Sequence, residues 1–158
     1  MTTSPRLEEL DVETSMRLLA EHHFGRVAVN APGGPLVFPV NYVFEAGTVV
    51  WRSDTGTKLT AAEHRNGASF QLDHVDVDRR VGWSVLVRGR LEEVADAAEL
   101  ARVDALGIDP FAPGRGKAHV VRLLPRAITG RRLPLPDDVP AGWYRRIVED
   151  TDAFGPTT

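Results

Sequence analysis

The chain contains no cysteine, which removes disulfides, thiolate nucleophiles, iron–sulfur clusters and cysteine-ligated zinc together. Its longest apolar runs are only a few residues, too short for a membrane-spanning helix, so no membrane is expected among its partners. The N-terminal MTTSPRLEELD shows no basic region leading into an apolar stretch. No secretory signal is therefore expected, and the cytoplasm is the expected compartment. An excess of one charge is also missing. The net charge of −3 supplies no general basic face for phosphates, so no nucleic acid is expected to bind. Neither GxGxxG nor GxSxG occurs, leaving a dinucleotide fold of that type and a nucleophile elbow unsupported. PGRGKAH (113–119) resembles a phosphate loop only in part. Phe111 stands where its first glycine belongs and Ala118 where its hydroxyl residue belongs.

What is present fits one domain of ordinary size. A chain of 158 residues buries roughly two thirds of the surface its unfolded form exposes. Asp11 can cap a first helix, with Met16, Leu19, Ala20 and His23 at the spacing of one face and Gly25 as its stop. GRVAVN (25–30), PLVFPVNYVF (35–44) and TVVWRS (48–53) are rich in β-branched and aromatic residues and are broken by APGG and EAG. They read as three antiparallel strands, and Pro39 puts its own strand at an edge or a bulge. TKLTAAEHRN (57–66) has a helical pattern, as does DAAELARVDAL (96–106), where Leu100, Val103 and Leu106 nearly align. ASFQLDHV (68–75), VGWSVLVRGRLEEV (81–94) and AHVVRLLPRAITGRR (118–132) read as further strands, and GIDPFAPGRGK (107–117) as loop. About six strands and two or three helices without regular alternation predict a mainly β fold, an antiparallel barrel. This domain spans residues 1–133, and residues 134–158 form a proline-rich tail in which WYRRIVED has a short helical pattern.

The chemistry-bearing residues concentrate at WRSDTGTKL (51–59). A strand ending where a helix begins leaves backbone N–H groups pointing outward, a place that suits a phosphate. Ser53, Thr55 and Thr57 offer hydroxyls, Lys58 a compact cation, Gly56 room for close approach, and Arg52 a second cation. The same residues also suit an ordinary helix cap with a solvated lysine. GWSVLVRGR (82–90) places Trp83, Val85, Val87 and Gly89 on one face of a strand and Ser84, Leu86, Arg88 and Arg90 on the other. ITGRR (128–132) adds Arg131 and Arg132, as a solvated strand end or as an anion clamp. DHVDVD (73–78) collects Asp73, His74, Asp76 and Asp78, but a strand would split them between two faces and the calcium-loop pattern is incomplete. No metal site is expected. Of His22 and His23, one is expected exposed and one partly buried.

In this order, GRVAV, PVNYVF, WRSDTGTKL, GWSVLVRGR and ITGRRL resemble the pyridoxamine 5′-phosphate oxidase-like flavoproteins of the FMN-binding split-barrel superfamily. The nearest branch is an actinobacterial one that is also similar to nitroimidazole-resistance reductases. The resemblance spans residues 12 to 133. It implies a six-stranded Greek-key split barrel with two to three flanking helices, forming a homodimer with FMN in two clefts at the subunit interface. It further implies that Lys58, with Ser53, Thr55, Thr57 and Arg52, holds the FMN phosphate. Backbone groups of Val40, Asn41 and Tyr42 would reach the polar edge of the ring system, and Trp83 and Ser84 would approach from another strand. Arg131 would arrive from the partner subunit, and Tyr42, Phe44 and Trp83 would shape the cleft.

The implied activity is that of an FMN-dependent oxidoreductase, a reductase or oxidase of a small aromatic or nitro-type substrate, with NADH or NADPH as electron donor. Alternatives within the resemblance are a deazaflavin-dependent reductase and a non-catalytic flavin- or haem-binding protein. The flavin would carry the electron chemistry, and no catalytic acid or base is identified among the residues. Two departures stand out. The C-terminal Trp and Arg–His–Arg pattern for pyridoxal phosphate is not recognisable after Arg132, and Arg52 stands where some nitroimidazole reductases carry histidine.

Overall fold

In the computed structural model, residues 7–54, 67–78, 81–108 and 119–133 are described. They form eight strands and two helices: β1 Glu8–Leu10, α1 Val12–Glu21, β2 Phe24–Ala31, β3 Gly34–Asn41, β4 Val43–Glu45, β5 Thr48–Ser53, β6 Gly67–Asp76, β7 Val81–Val94, α2 Ala97–Ala105 and β8 His119–Leu133. The expected helix at 57–66 and the tail at 134–158 lie outside the described residues.

All ladders are antiparallel, in the spatial order β3-β2-β6-β7-β8-β5-β4, with β1 added along β8. Strands β6, β7 and β8 form a meander, and β5, the strand before them, lies beside β8, which is a Greek key. The sheet ends are β3 and β4, yet these two are consecutive in sequence, separated by Tyr42 alone. One residue therefore joins opposite edges of the sheet, so the sheet must curl round on itself, and β3 indeed approaches β5. This is a split barrel whose seam starts at Tyr42.

The barrel interior is filled by alternate residues: Val27 and Val29 from β2, Val49 and Trp51 from β5, Phe70 and Leu72 from β6, Trp83, Val85, Val87 and Leu91 from β7, and Val121 and Leu123 from β8. A second cluster of Val50, Val94, Val103, Ile108 and Val120 seats α2 against the outer side of the same wall. No helix among the described residues is long and apolar enough to cross a membrane.

The structure redraws several local expectations. Strand 35–44 is two strands, because the chain changes partner at Tyr42, from β2 before it to β5 after it; the Tyr42 side chain points into the core, where its hydroxyl donates to the Leu19 carbonyl at 2.9 Å. Burial pushes the Tyr42 phenol well above its ordinary range. Pro39 lies on an edge strand, as its missing N–H requires.

Asp11 caps α1, its carboxylate accepting from Thr14 N at 2.6 Å. The buried face of α1, however, is Ser15, Leu18 and Leu19, with Met16 exposed. Ser15 tolerates burial because its hydroxyl donates to the Asp11 carbonyl at 2.9 Å. The helix stops at His22, whose Nδ1 lies 2.8 Å from the Leu18 carbonyl. With Tyr42 on Leu19, two of the carbonyls left open at a helix end find side-chain partners. Gly25 is not the helix stop but part of β2, where an added Cβ would fall 2.3 Å from the Phe70 ring. In the second helix Val103 is buried and Leu100 partly so, but Leu106 is exposed.

Candidate functional site

Two groups of candidate residues emerge, at opposite ends of β8. The first is at the seam. Asn41 and Val40 end β3, whose outer side has no strand neighbour among the described residues, while Arg52 and Ser53 end β5. The β4–β5 ladder pairs Val43 with Val50. Continuing that register brings Asn41 towards Arg52 across the seam, in keeping with the approach of β3 to β5. Thr55, Thr57 and Lys58 follow directly in the chain but lie outside the described residues.

Side-chain geometry narrows what this group offers. Val40 is buried, and it directs its backbone groups to β2, as does Tyr42, whose N–H donates to the His23 carbonyl at 2.9 Å. Asn41, between them, directs its backbone groups away from β2, to the seam. The Tyr42 ring stands edge-on to Phe70, with centroids 4.6 Å apart, so it does not shape an outer cleft. The Ser53 side chain is buried and its hydroxyl donates to the Asp54 carbonyl at 3.0 Å. Arg52 forms an ion pair with Asp104 of α2.

The second group lies on the outer face at the far end of the sheet. Ser84 pairs with Arg131 on one side and with Asp73 on the other, and Arg131 continues to Glu9 of β1. Extending the β2–β6 register two residues beyond Arg26–Gln71 sets Phe24 opposite Asp73, and Phe24 pairs with Asn41. A single row thus crosses the sheet: Asn41, Phe24, Asp73, Ser84, Arg131, Glu9. Ser84, Arg131, Trp83, Asp73, Leu7 and Leu133 border a cleft of about 160 Å³. The Trp83 ring itself belongs to the interior, edge-on to His22 at 5.0 Å. Its indole N–H is buried and finds no acceptor among the described residues. Trp83 therefore supports the wall behind this cleft more than its surface.

Arg131 lies twelve residues beyond His119, the cross-strand partner of Ser53. At about 3.3 Å per residue that is roughly 40 Å of extended strand. Ser84 and Arg131 are neighbours of one another within a chain, a dozen residues along β8 from the Ser53 end.

Three residues missed by pattern reading matter here. Phe24 is exposed and sits between Asn41 and Asp73 in the row; the sequence signal was its place at the start of a strand. Arg26 pairs with Asp73 at 3.1 Å. His119 stands beside Ser53, and its Nδ1 lies 2.7 Å from Glu93 Oε1. Only antiparallel pairing of the last two strands brings that imidazole and carboxylate together. Of the histidines at 22 and 23, the first is partly buried and the second exposed, as expected. No cluster of three metal-ligating side chains occurs among the described residues.

Comparison with known proteins supplies the frame for these two groups. An uncharacterized protein of Mycobacterium tuberculosis is 33% identical over 130 residues, covering 79% of this chain and 84% of the relative. The solved structure of an FAD-binding protein from Mycobacterium smegmatis matches at 35% identity and a TM-score of 0.64, covering 80% of this chain and 100% of the other. A FAD-binding protein from Mesorhizobium loti matches at 26% identity and a TM-score of 0.68, covering 81% and 99%. The family model described as pyridoxamine 5′-phosphate oxidase matches residues 11–132, and with the split barrel described above this chain belongs to that family.

Proposed function

We propose that the chain is a flavin-binding oxidoreductase that works as a homodimer, each flavin lying between the seam of one copy and the Ser84–Arg131 row of the other. The observation that carries this reading is the separation of the two groups. One end of β8 holds the strand junction suited to a phosphate, and the other holds a serine–arginine pair beside apolar residues suited to the polar edge of a flat ring. A second copy is the simplest means of bringing them onto one ligand.

The residues present fit a flavin. The seam offers strand-edge backbone at Asn41, and the WRSDTGTKL junction offers hydroxyls and Lys58. Across the interface, Ser84 supplies a hydroxyl and Arg131 a guanidinium, beside Leu7, Val75 and Leu133. The Lys58 ammonium would bind the phosphate. Backbone at the seam would orient the ring, and the partner's sheet would exclude water. When bound, the flavin supplies the hydride or electron transfer, so the protein need only position and tune it. FMN is the primary assignment, with a small aromatic or nitro-type substrate and NADH or NADPH as donor. FAD is the second reading, favoured by the descriptions of the M. smegmatis and M. loti proteins.

Purified protein should be yellow, with a flavin released on denaturation that chromatography identifies as FMN. Anaerobic NADH or NADPH should bleach it. A coloured protein that neither donor reduces would remove the oxidoreductase while leaving the flavin. A colourless one that takes up neither FMN nor FAD would remove both.

A further inference from the structure

Another groove lies elsewhere on the same sheet. It has a volume of about 690 Å³ and is bordered by Asn30, Ser69, Arg88, Arg126, Ala127 and Gly89 on the outer face of β2, β6, β7 and β8. That size suits a nucleotide-sized molecule. Both arginines are exposed, and neither forms an ion pair with a carboxylate among the described residues.

Their convergence has an identifiable cause. The β7–β8 ladder pairs Arg88 with Ala127 and Gly89 with Pro125, so Arg126 is the extra residue of a β-bulge. Ile128 packs on the core, so strict alternation would turn Arg126 inward as well. The bulge releases it to the surface beside Ala127, and both border the groove. Gly89 permits this, because a Cβ there would fall 2.0 Å from the Leu124 carbonyl oxygen. The floor is made of small residues, Ala28 and Ala127, which lie with Ser69 and Arg88 in one row across the outer face.

We infer that this groove binds a phosphate monoester of nucleotide size, its phosphoryl dianion held between the Arg88 and Arg126 guanidiniums. Two planar forks match the several terminal oxygens of a phosphoryl group. Ser69 and Asn30 add neutral donors, and the alanine floor receives the organic body. The inference is independent of the flavin reading, since none of these residues belongs to either group above.

The test is calorimetric titration of the full-length, flavin-saturated protein with AMP, adenosine and inorganic phosphate. AMP should bind, adenosine should bind at least tenfold more weakly, and inorganic phosphate should compete with AMP. Each charge-assisted contact is worth about 1.5–3 kcal/mol, so Arg88→Gln and Arg126→Gln should each weaken AMP on the order of tenfold to a hundredfold. Lys58→Ala should leave AMP binding unchanged, which separates this site from the flavin phosphate. Should Arg126→Gln disturb the bulge and melt early, Arg88→Gln, on the regular side of the ladder, carries the test. Equal affinity for AMP and adenosine, indifference to Arg88→Gln, or no AMP binding by the folded wild type would each overturn the inference.

Discussion

The two faces of β7 differ in what they are for. Its inner residues Trp83, Val85, Val87 and Leu91 are all but sealed from solvent, and their work is to fill the barrel. Its outer residues Ser84, Leu86 and Arg88 sit one position away along the same backbone and remain partly or well exposed. Two of those three are polar, and each borders a groove. A strand alternates by geometry, so one segment can hold stability on one side and recognition on the other with little interference. Substitutions on the inner face should therefore unfold the protein, and those on the outer face should leave it folded and change what it binds.

The sharpest contrast is a deep cut into the inner face. Trp51 is fully buried at the centre of the barrel, and Trp51→Ala should cost about 3–5 kcal/mol, read as a lower midpoint in urea unfolding. An effect under 1 kcal/mol would mean that the ring is not in the core. On the ligand side, Lys58→Ala should weaken FMN about tenfold to a hundredfold while the melting curve of the ligand-free protein stays in place. Unchanged FMN affinity would show the lysine to be misassigned.

Tyr42→Phe tests the seam, where both roles meet. Removing the hydroxyl strands the Leu19 carbonyl in the core and should cost about 1–3 kcal/mol of stability. Flavin affinity should change little, because the Tyr42 side chain lies in the core and its N–H bonds to His23; a large loss of affinity with normal stability would reverse that assignment. The smallest effect belongs to the exposed Arg26–Asp73 pair. Arg26→Ala should move stability by no more than about 1 kcal/mol, and less at high salt.

Much of the barrel was legible in the sequence because its long strands carry clean alternation. VGWSVLVRGRLEEV coincides with β7 from Val81 to Val94, and the inward and outward sets fall as period two requires. Asp11 as a helix cap and Pro39 as an edge residue were legible for the same reason, since each is a local constraint. What escaped was decided by distant neighbours. PLVFPVNYVF is continuously strand-like, and nothing in it reveals that the chain changes partner strand at Tyr42. Ser15 looks like a surface residue until its hydroxyl is seen bonded to Asp11. β1 is a short EEL segment held partly by Arg132, whose Nε donates to Glu8 at 2.5 Å, and no apolar pattern marks it.

The candidate residues could be named from the sequence, but which of them are neighbours could not: the pairing of Ser53 with His119 and of Ser84 with Arg131 exists only in the folded chain. Phe24 and His119 escaped because their neighbours come from other strands.

The central claim is that one flavin is held by residues of two chains, and subunit mixing tests it most directly. Lys58→Ala and Arg131→Ala proteins are purified separately, dissociated, mixed and reassociated, and FMN binding is titrated. If Lys58 and Arg131 act from different subunits, each mixed dimer regains one intact site of two, and a population with wild-type affinity returns. If both residues serve a flavin from the same chain, every site in the mixture still carries a lesion, no tight binding reappears, and the two-chain site is contradicted.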